Sequence, residues 1–328
     1  MTSPASLFVT GGTGFFGKAL LRRWQADSHL PRTFPQVSVL SRDPASFLVR
    51  YPEFANLPGL RFHIGDLSDP ASLPRAERFT HILHAATEST FGPRLSPFAR
   101  FQQIVDGTRH LLEFAVACGA RRFLLTSSGG IYGPQPPEVA ALPEDWPGSP
   151  DLRDPANAYS LGKRAAEHLC TLYRDAYGIE TVIARCFSFI GRDLPLDVHF
   201  AIGNFIRDAL DREAVEIAGD GSPVRTYLDQ DDLAHWLLTL LELGRPGEAY
   251  NVGSDEAIRI ADLAYLVRDL LAPDKPVGIL GQCRDPHGRN RYVPDIRKAQ
   301  RELGLGVTIP LAEAIQRAGA AHRRRLTP

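Results

Sequence analysis

The chain has few cysteines, no excess of either charge and no long apolar run, and each shortage closes off a class of function. Its four cysteines, Cys118, Cys170, Cys186 and Cys283, are widely scattered. No metal-ligand or redox spacing results, so they are read as reduced packing thiols. A formal net charge of -1 gives no footprint for nucleic acid or an anionic membrane. No apolar stretch reaches the roughly 20 residues of a membrane span. No charged-then-apolar export signal opens the chain, and a cytoplasmic protein is the expectation. The basic run His322-Arg323-Arg324-Arg325 is read as a solvated terminus rather than an anion site. What remains is an ordinary globular composition: 328 residues, 44% hydrophobic and 23% charged, enough for one large or two smaller domains.

Against these absences, glycine is concentrated where it matters. Leu7-Phe8-Val9-Thr10 is a short apolar run leading into Gly11-Gly12-Thr13-Gly14-Phe15-Phe16-Gly17, and then into helical spacing over 18–24. Strand, glycine-rich turn and helix follow one another. Of Gly11, Gly14 and Gly17, one permits a tight reversal, one lets backbone approach a pyrophosphate, and one lets the helix pack on its strand. The free N–H groups and positive dipole of the helix start favour phosphate. The flanking strand and helix supply the context that lone glycines lack.

Further strands are expected at 36–40, 60–64, 81–84, 122–126 and 181–184, with helices over 98–118 and 156–177. This alternation predicts an α/β fold, a Rossmann-type doubly wound parallel sheet. Ligands then bind at the carboxyl ends of the strands. Residues 133–155 are proline-dense and aperiodic, a lid or substrate-facing loop. Beyond them, helices are expected over 200–210, 233–243, 260–271, 296–303 and 311–322, with short strands at 215–217 and 226–228. The expected division is a cofactor domain of residues 1–186 plus about 226–253, and a smaller C-terminal α/β substrate domain of 187–225 and 254–328.

Tyr159 and Lys163 stand four apart in the helix after the proline-rich loop, on one face and one turn from each other. A phenol titrates too high for easy proton exchange at neutrality. A fixed ammonium beside it favours the phenolate. The same lysine can bind a cofactor ribose. With Ser128 at an intervening strand end, the pattern reads as acid–base catalysis beside a dinucleotide.

These motifs resemble the extended short-chain dehydrogenase/reductases of the nucleotide-sugar branch. The resemblance is carried by residues 10–17, Asp66-Leu67, His84-Ala85-Ala86, Gly107-Thr108, Thr126-Ser127-Ser128, Ile131-Tyr132-Gly133, and Tyr159 with Lys163. Gly219-Asp220-Gly221 with Arg225, Asp231-Asp232, Asn251-Val252-Gly253, and Asp295 with Leu303-Gly304 continue it. It implies a catalytic set of Ser128, Tyr159 and Lys163. It implies a cofactor set of Gly11, Thr13, Gly14, Phe15, Phe16, Gly17, Ser41, Arg42, Asp66, Leu67, Ala85, Ala86, Thr87 and Thr126, with Tyr159 and Lys163 shared. Ser128, Gly129, Ser188, Arg225 and Arg284 would contact a nucleotide-diphosphate sugar, the two arginines at its phosphates. No metal is implied. A homodimer through the helices around 100–118 and 157–177 is.

Three departures shape the reading. Gly129 and Gly130 occupy the positions of the Asp–Glu pair that 4,6-dehydratases of the family use for elimination; Glu88 is a possible substitute from elsewhere. Ser41-Arg42 replaces the acidic residue that holds the ribose in NAD-using relatives, which favours NADP over NAD. Ile104 and Ser188 replace two family asparagines, with Gln103 a stand-in for the first. The expected activity is oxidation or reduction at C4 of the sugar, by a 4-keto-sugar reductase or a 4-epimerase in deoxysugar or surface-polysaccharide synthesis. A 4,6-dehydratase is the alternative within the family, and a non-catalytic NAD(P)-sensing Rossmann protein the alternative of another class.

Overall fold

The computed structural model describes residues 5–87, 95–198, 200–281 and 291–326. The chain divides into two compact units. One comprises Met1–Ile131, Pro150–Arg185 and Ala234–Tyr250, and the other Tyr132–Ser149, Cys186–Leu233 and Asn251–Pro328.

The first unit alternates apolar strands with helices. In order come β1 (Ser6–Thr10), α1 (Phe15–Ala26), α2 (Leu30–Thr33), β2 (Gln36–Ser41), α3 (Pro44–Arg50), β3 (Leu60–Ile64) and β4 (His81–His84). Then follow α4 (Pro97–Cys118), β5 (Arg122–Ser128), α5 (Ala158–Tyr177) and β6 (Glu180–Cys186). The second unit holds β7 (Phe189–Ile190), α6 (Ala201–Asp211), β8 (Val215–Ile217), β9 (Val224–Arg225) and β10 (Leu228–Asp229). α7 (Gln230–Leu243) and β11 (Ala249–Val252) each begin in one unit and end in the other. β12 (Ile258–Arg259), α8 (Ile260–Leu271), β13 (Val277–Ile279), α9 (Arg297–Leu303) and α10 (Leu311–Leu326) complete the second unit.

The seven-stranded sheet runs β11-β6-β5-β4-β1-β2-β3. β1 pairs in parallel with β2 on one side and β4 on the other, so chain order reverses there. A crevice opens beyond the carboxyl ends at such a reversal. Register sets Thr10 opposite both Leu40 and His84, which brings the ends of three strands to one level. Phe8, Ile82, Leu111, Leu112, Leu125, Ala166 and Cys170 form one continuous core, which places α4 and α5 on one face of the sheet. α4 is capped by Ser96, whose hydroxyl accepts from the Ala99 N–H at 3.2 Å. It ends on Gly119 in the left-handed conformation, which glycine adopts without cost from a Cβ.

Three local expectations differ from what forms. The loop 133–149 lies in the second unit rather than with 1–186, because it is tied to the C-terminal half. The Tyr132 hydroxyl donates to Asn251 Oδ1 at 2.7 Å, and the Leu142 N–H to the Val293 carbonyl at 2.9 Å. The strand expected at 226–228 is two strands: β9 pairs antiparallel with β12, and β10 parallel with β7. Thr226 and Tyr227 form the buried break between them. The basic run at 322–325 extends the helix expected to end at 322, with Arg323 and Arg324 exposed; His322 meets Asp211 at 2.9 Å and Arg323 donates to the Leu271 carbonyl.

Arg122 opens β5 with its side chain turned onto the last turn of α7. It donates to the Leu241 and Gly244 carbonyls and pairs with Glu180 at 2.9 Å. Arg122→Met would strand two helix-end carbonyls in a buried place, at a cost of about 2–4 kcal/mol. Glu180→Gln, at a half-exposed side chain, should cost below about 1 kcal/mol. Urea denaturation of the two variants checks the contrast; equal losses would assign the effect to the ion pair.

Candidate functional site

The glycine-rich loop separates the three glycine roles. Gly11 has φ +73°, and a Cβ there would lie 2.5 Å from the Ala85 carbonyl oxygen at the end of β4. A Cβ on Gly17 would lie 2.2 Å from the Gly12 Cα, so α1 reaches the loop only without one. Gly14 is exposed, and its Cβ would meet only the Gly11 carbonyl oxygen, at 3.3 Å. Gly14 is also the N-cap of α1, with no side-chain cap and no acidic residue in the first turn. A helix start without a side-chain cap, behind an open glycine, fits a phosphate anion. The residues present therefore fit a dinucleotide: the loop would hold its pyrophosphate. Thr13, Phe15 and Phe16 are half-buried around this loop.

At the neighbouring strand ends sits a buried polar chain. The His84 Nδ1 lies 2.8 Å from the Thr10 hydroxyl and its Nε2 3.2 Å from that of Thr108. The Thr126 hydroxyl donates to the His84 carbonyl at 2.9 Å, and the Ala86 N–H to Thr10 Oγ1 at 3.3 Å. Burial, helped by the Lys163 charge, pushes His84 down to about 3, so its imidazole is neutral and spaces the strands. Lys163, 3% exposed, donates to Thr87 Oγ1 at 2.7 Å and to the Thr126 carbonyl at 2.8 Å. Its ammonium lies 6.0 Å from the centroid of the half-buried Tyr159 ring. Ser128 ends β5, buried, with Oγ accepting from the Gly130 N–H at 3.0 Å.

Ala85, Ala86, Thr87, Thr126, Ser128, Gly129, Tyr159 and Lys163 all belong to the first unit. Lys163 gathers α5 onto the ends of β4 and β5. Gly162 makes this close: a Cβ there would touch Ile104 at 3.3 Å. Ile104 is thus a buried packing residue, and Gln103 beside it is exposed, so no amide fills that position.

Two features escaped the sequence reading. Glu167 lies one turn beyond Lys163; its Oε1 accepts from the Ser127 hydroxyl at 2.5 Å, and its carboxylate pairs with Arg185 at 2.9 Å. Both charged side chains are largely buried. The spacing 159, 163, 167 on one helical face was the available signal. The other is Arg100, whose guanidinium carbon lies 4.6 Å from the Tyr159 ring centroid.

At the far side of the loop, Ser41 is buried while the Arg42 side chain is 74% exposed, 3.9 Å from Asp66. Asp43 caps α3 through the Ser46 N–H at 2.9 Å, which occupies its carboxylate. Asp66 accepts from the Ser68 backbone and hydroxyl, and the Leu67 carbonyl faces His110 at 2.7 Å. Ser188 and Arg225 belong to the second unit; Arg225 donates to the Val224 carbonyl at 2.8 Å. Arg284 and Glu88 lie outside the described residues.

Residues 7–253 match the model of the NAD dependent epimerase/dehydratase family. A Danio rerio protein named UDP-glucuronic acid decarboxylase 1 is 28% identical over 311 residues, 95% of this chain and 71% of that one. The UDP-glucose 4-epimerase of Thermotoga maritima superposes with TM-score 0.83 at 23% identity, covering 98% of this chain and 99% of that one. A dTDP-glucose 4,6-dehydratase from Streptomyces venezuelae, solved with NAD, gives TM-score 0.83 at 26% identity, covering 97% of each chain.

His84 sets a pH dependence. An unfolded histidine takes up a proton near 6.5, the folded one only near 3. Between these values the unfolded chain binds the extra proton, so stability falls as pH falls, by at most about 1.4 kcal/mol per pH unit. We expect His84→Gln to flatten this slope between pH 6.5 and 4, measured by urea denaturation; parallel curves would show His84 to be charged when folded.

Proposed function

The chain belongs to the NAD dependent epimerase/dehydratase family, and from that premise we propose that it oxidises or reduces C4 of a nucleotide-diphosphate sugar. As a family member it is a nucleotide-sugar-modifying enzyme that uses a nicotinamide cofactor. The observation that carries the finer reading is Lys163 bonded to Thr87 and to Thr126 near the Tyr159 ring, with Ser128 two residues beyond Thr126 at the end of β5. A bound nicotinamide would supply hydride exchange. Tyr159 then moves the proton of the sugar oxygen, Ser128 hydrogen-bonds that oxygen, and Lys163 holds the ribose and biases Tyr159 toward phenolate. Gly129 and Gly130, next to Ser128, have no side chain to drive elimination of water, which disfavours the 4,6-dehydratase. The outcomes left are a 4-keto-sugar reductase, with net consumption of cofactor, and a 4-epimerase, without it.

A second reading is favoured by the decarboxylase relative. Oxidation at C4 of a uronic acid creates a β-keto acid. Breaking its C5–C6 bond releases carbon dioxide and leaves the electron pair as an enolate, with no carboxylate base at 129–130 needed. Release of carbon dioxide from a nucleotide uronic acid separates this reading from the first.

Arg42, exposed beside the buried Ser41, supports NADP as the cofactor, since a guanidinium suits a 2′-phosphate. A homodimer through α4 and α5 is supported by Phe98, Phe101, Val116, Leu172 and Tyr177, large apolar side chains exposed on those helices.

The deciding experiment is mass spectrometry of the nucleotide and cofactor that co-purify with the chain, followed by turnover of that nucleotide sugar. We expect Tyr159→Phe to leave folding and cofactor binding intact while lowering turnover by about 10²–10⁴-fold; unchanged turnover would remove Tyr159 from the mechanism. Arg42→Ala should weaken NADP more than NAD in fluorescence titrations, and equal weakening would withdraw the NADP preference.

A further inference from the structure

Arg100 occupies a position that helix stability does not explain. It lies in the first turn of α4, after the Ser96 cap and Pro97, where the helix dipole disfavours a cation. Its Nε is buried without a hydrogen-bond partner among the described residues. Burial draws the guanidinium below its ordinary range, and Tyr159 pulls it back up. What it does have is Tyr159: Cζ stands 4.6 Å from the ring centroid, nearer than the 6.0 Å of the Lys163 ammonium.

We propose that Arg100 acts through Tyr159 as a positioning residue, a second cation that holds the phenol ring and stabilises its phenolate. A guanidinium on a ring face is attracted by the π-electrons. That attraction grows when the ring carries a full negative charge, so the proton leaves at lower pH. Arg100 from α4 and Lys163 from its own helix both lie over the ring. From β4, His84 is neutral, and Glu167 further along α5 is engaged by Arg185 and Ser127. Lys163 divides its ammonium between Thr87 and Thr126, whereas Arg100 presents a guanidinium plane. This role rests on the reading of Tyr159 as the proton-exchanging group.

The test needs no substrate. The ultraviolet absorbance of phenolate is followed against pH in the full chain and in Tyr159→Phe, and their difference isolates Tyr159. Tyr173 and Tyr227 are pushed up by burial. We expect Arg100→Met to raise the Tyr159 step by about one pH unit, and Arg100→Lys, which keeps the charge, to raise it less. Arg100→Gln replaces Arg100→Met if circular dichroism shows that variant unfolded. A step unmoved by loss of the charge overturns the inference, as does a Tyr159 step at the ordinary phenol value in the unaltered chain. Turnover by Tyr159→Phe judges the enzymatic reading separately: if it is lost while the step ignores Arg100, only the present inference falls.

Discussion

A buried ammonium is the constraint on which the rest of this site depends. An unpaired cation in a protein interior costs several kcal/mol, so its surroundings must supply oxygens at hydrogen-bond distance. Lys163 finds them on two different segments, the Thr87 hydroxyl after β4 and the Thr126 carbonyl within β5. Meeting that requirement fixes α5 against the sheet at one point. Glu167 fixes it at a second, one turn on, through Ser127 and Arg185. A helix held at two points on one face has little freedom to slide or rotate. Tyr159, one turn before Lys163, inherits that placement, and Ser128 inherits it from the other side as the neighbour of Ser127. The Glu167–Arg185 pair is thus better understood as fixing one geometry than as a source of net stability, since ion-pair desolvation offsets most of its Coulomb energy.

The cofactor side of the crevice is built by subtraction. Gly11 yields its Cβ to the backbone at Ala85, Gly17 yields its own to Gly12, and Gly14 leaves its space open. Behind the loop, Thr10, His84 and Thr108 form a neutral spine that satisfies every ring nitrogen of the histidine. Keeping that spine uncharged matters for Lys163, because a second cation next to it would lower the ammonium's hold on its proton. The affinity of His84 for protons is depressed first by burial and then by the charge of Lys163.

Much of this was legible in the sequence because the signals were local. The glycine loop, the short apolar runs, the helical spacing and the four-residue step from Tyr159 to Lys163 each need only neighbouring residues. The first unit's strands accordingly formed where alternation placed them, within a residue or two at their ends. What the sequence hid depends on partners far along the chain. Arg100 and Tyr159 meet only because α4 and α5 pack side by side. The 226–228 strand broke at Thr226 because its two halves pair with different segments. Residues 133–155 read as a lid or substrate-facing loop, yet the Leu142 N–H donates to the Val293 carbonyl and the Leu142 carbonyl accepts from the Asp295 N–H. No periodicity within that loop could have announced such a partner.

The departures from the nucleotide-sugar pattern share a direction. Where a dehydratase would place carboxylates, Gly129 and Gly130 place none; where a polar amide would sit, Ile104 packs on Gly162. Both remove proton-handling or substrate-binding groups from the neighbourhood of Tyr159 while leaving its cations untouched. On the proposed reading, a site stripped in this way concentrates proton transfer on one phenol. That demands a phenol whose acidity is well matched to neutral pH. Setting a guanidinium and an ammonium within 4.6 and 6.0 Å of the Tyr159 ring centroid is an arrangement that answers that demand.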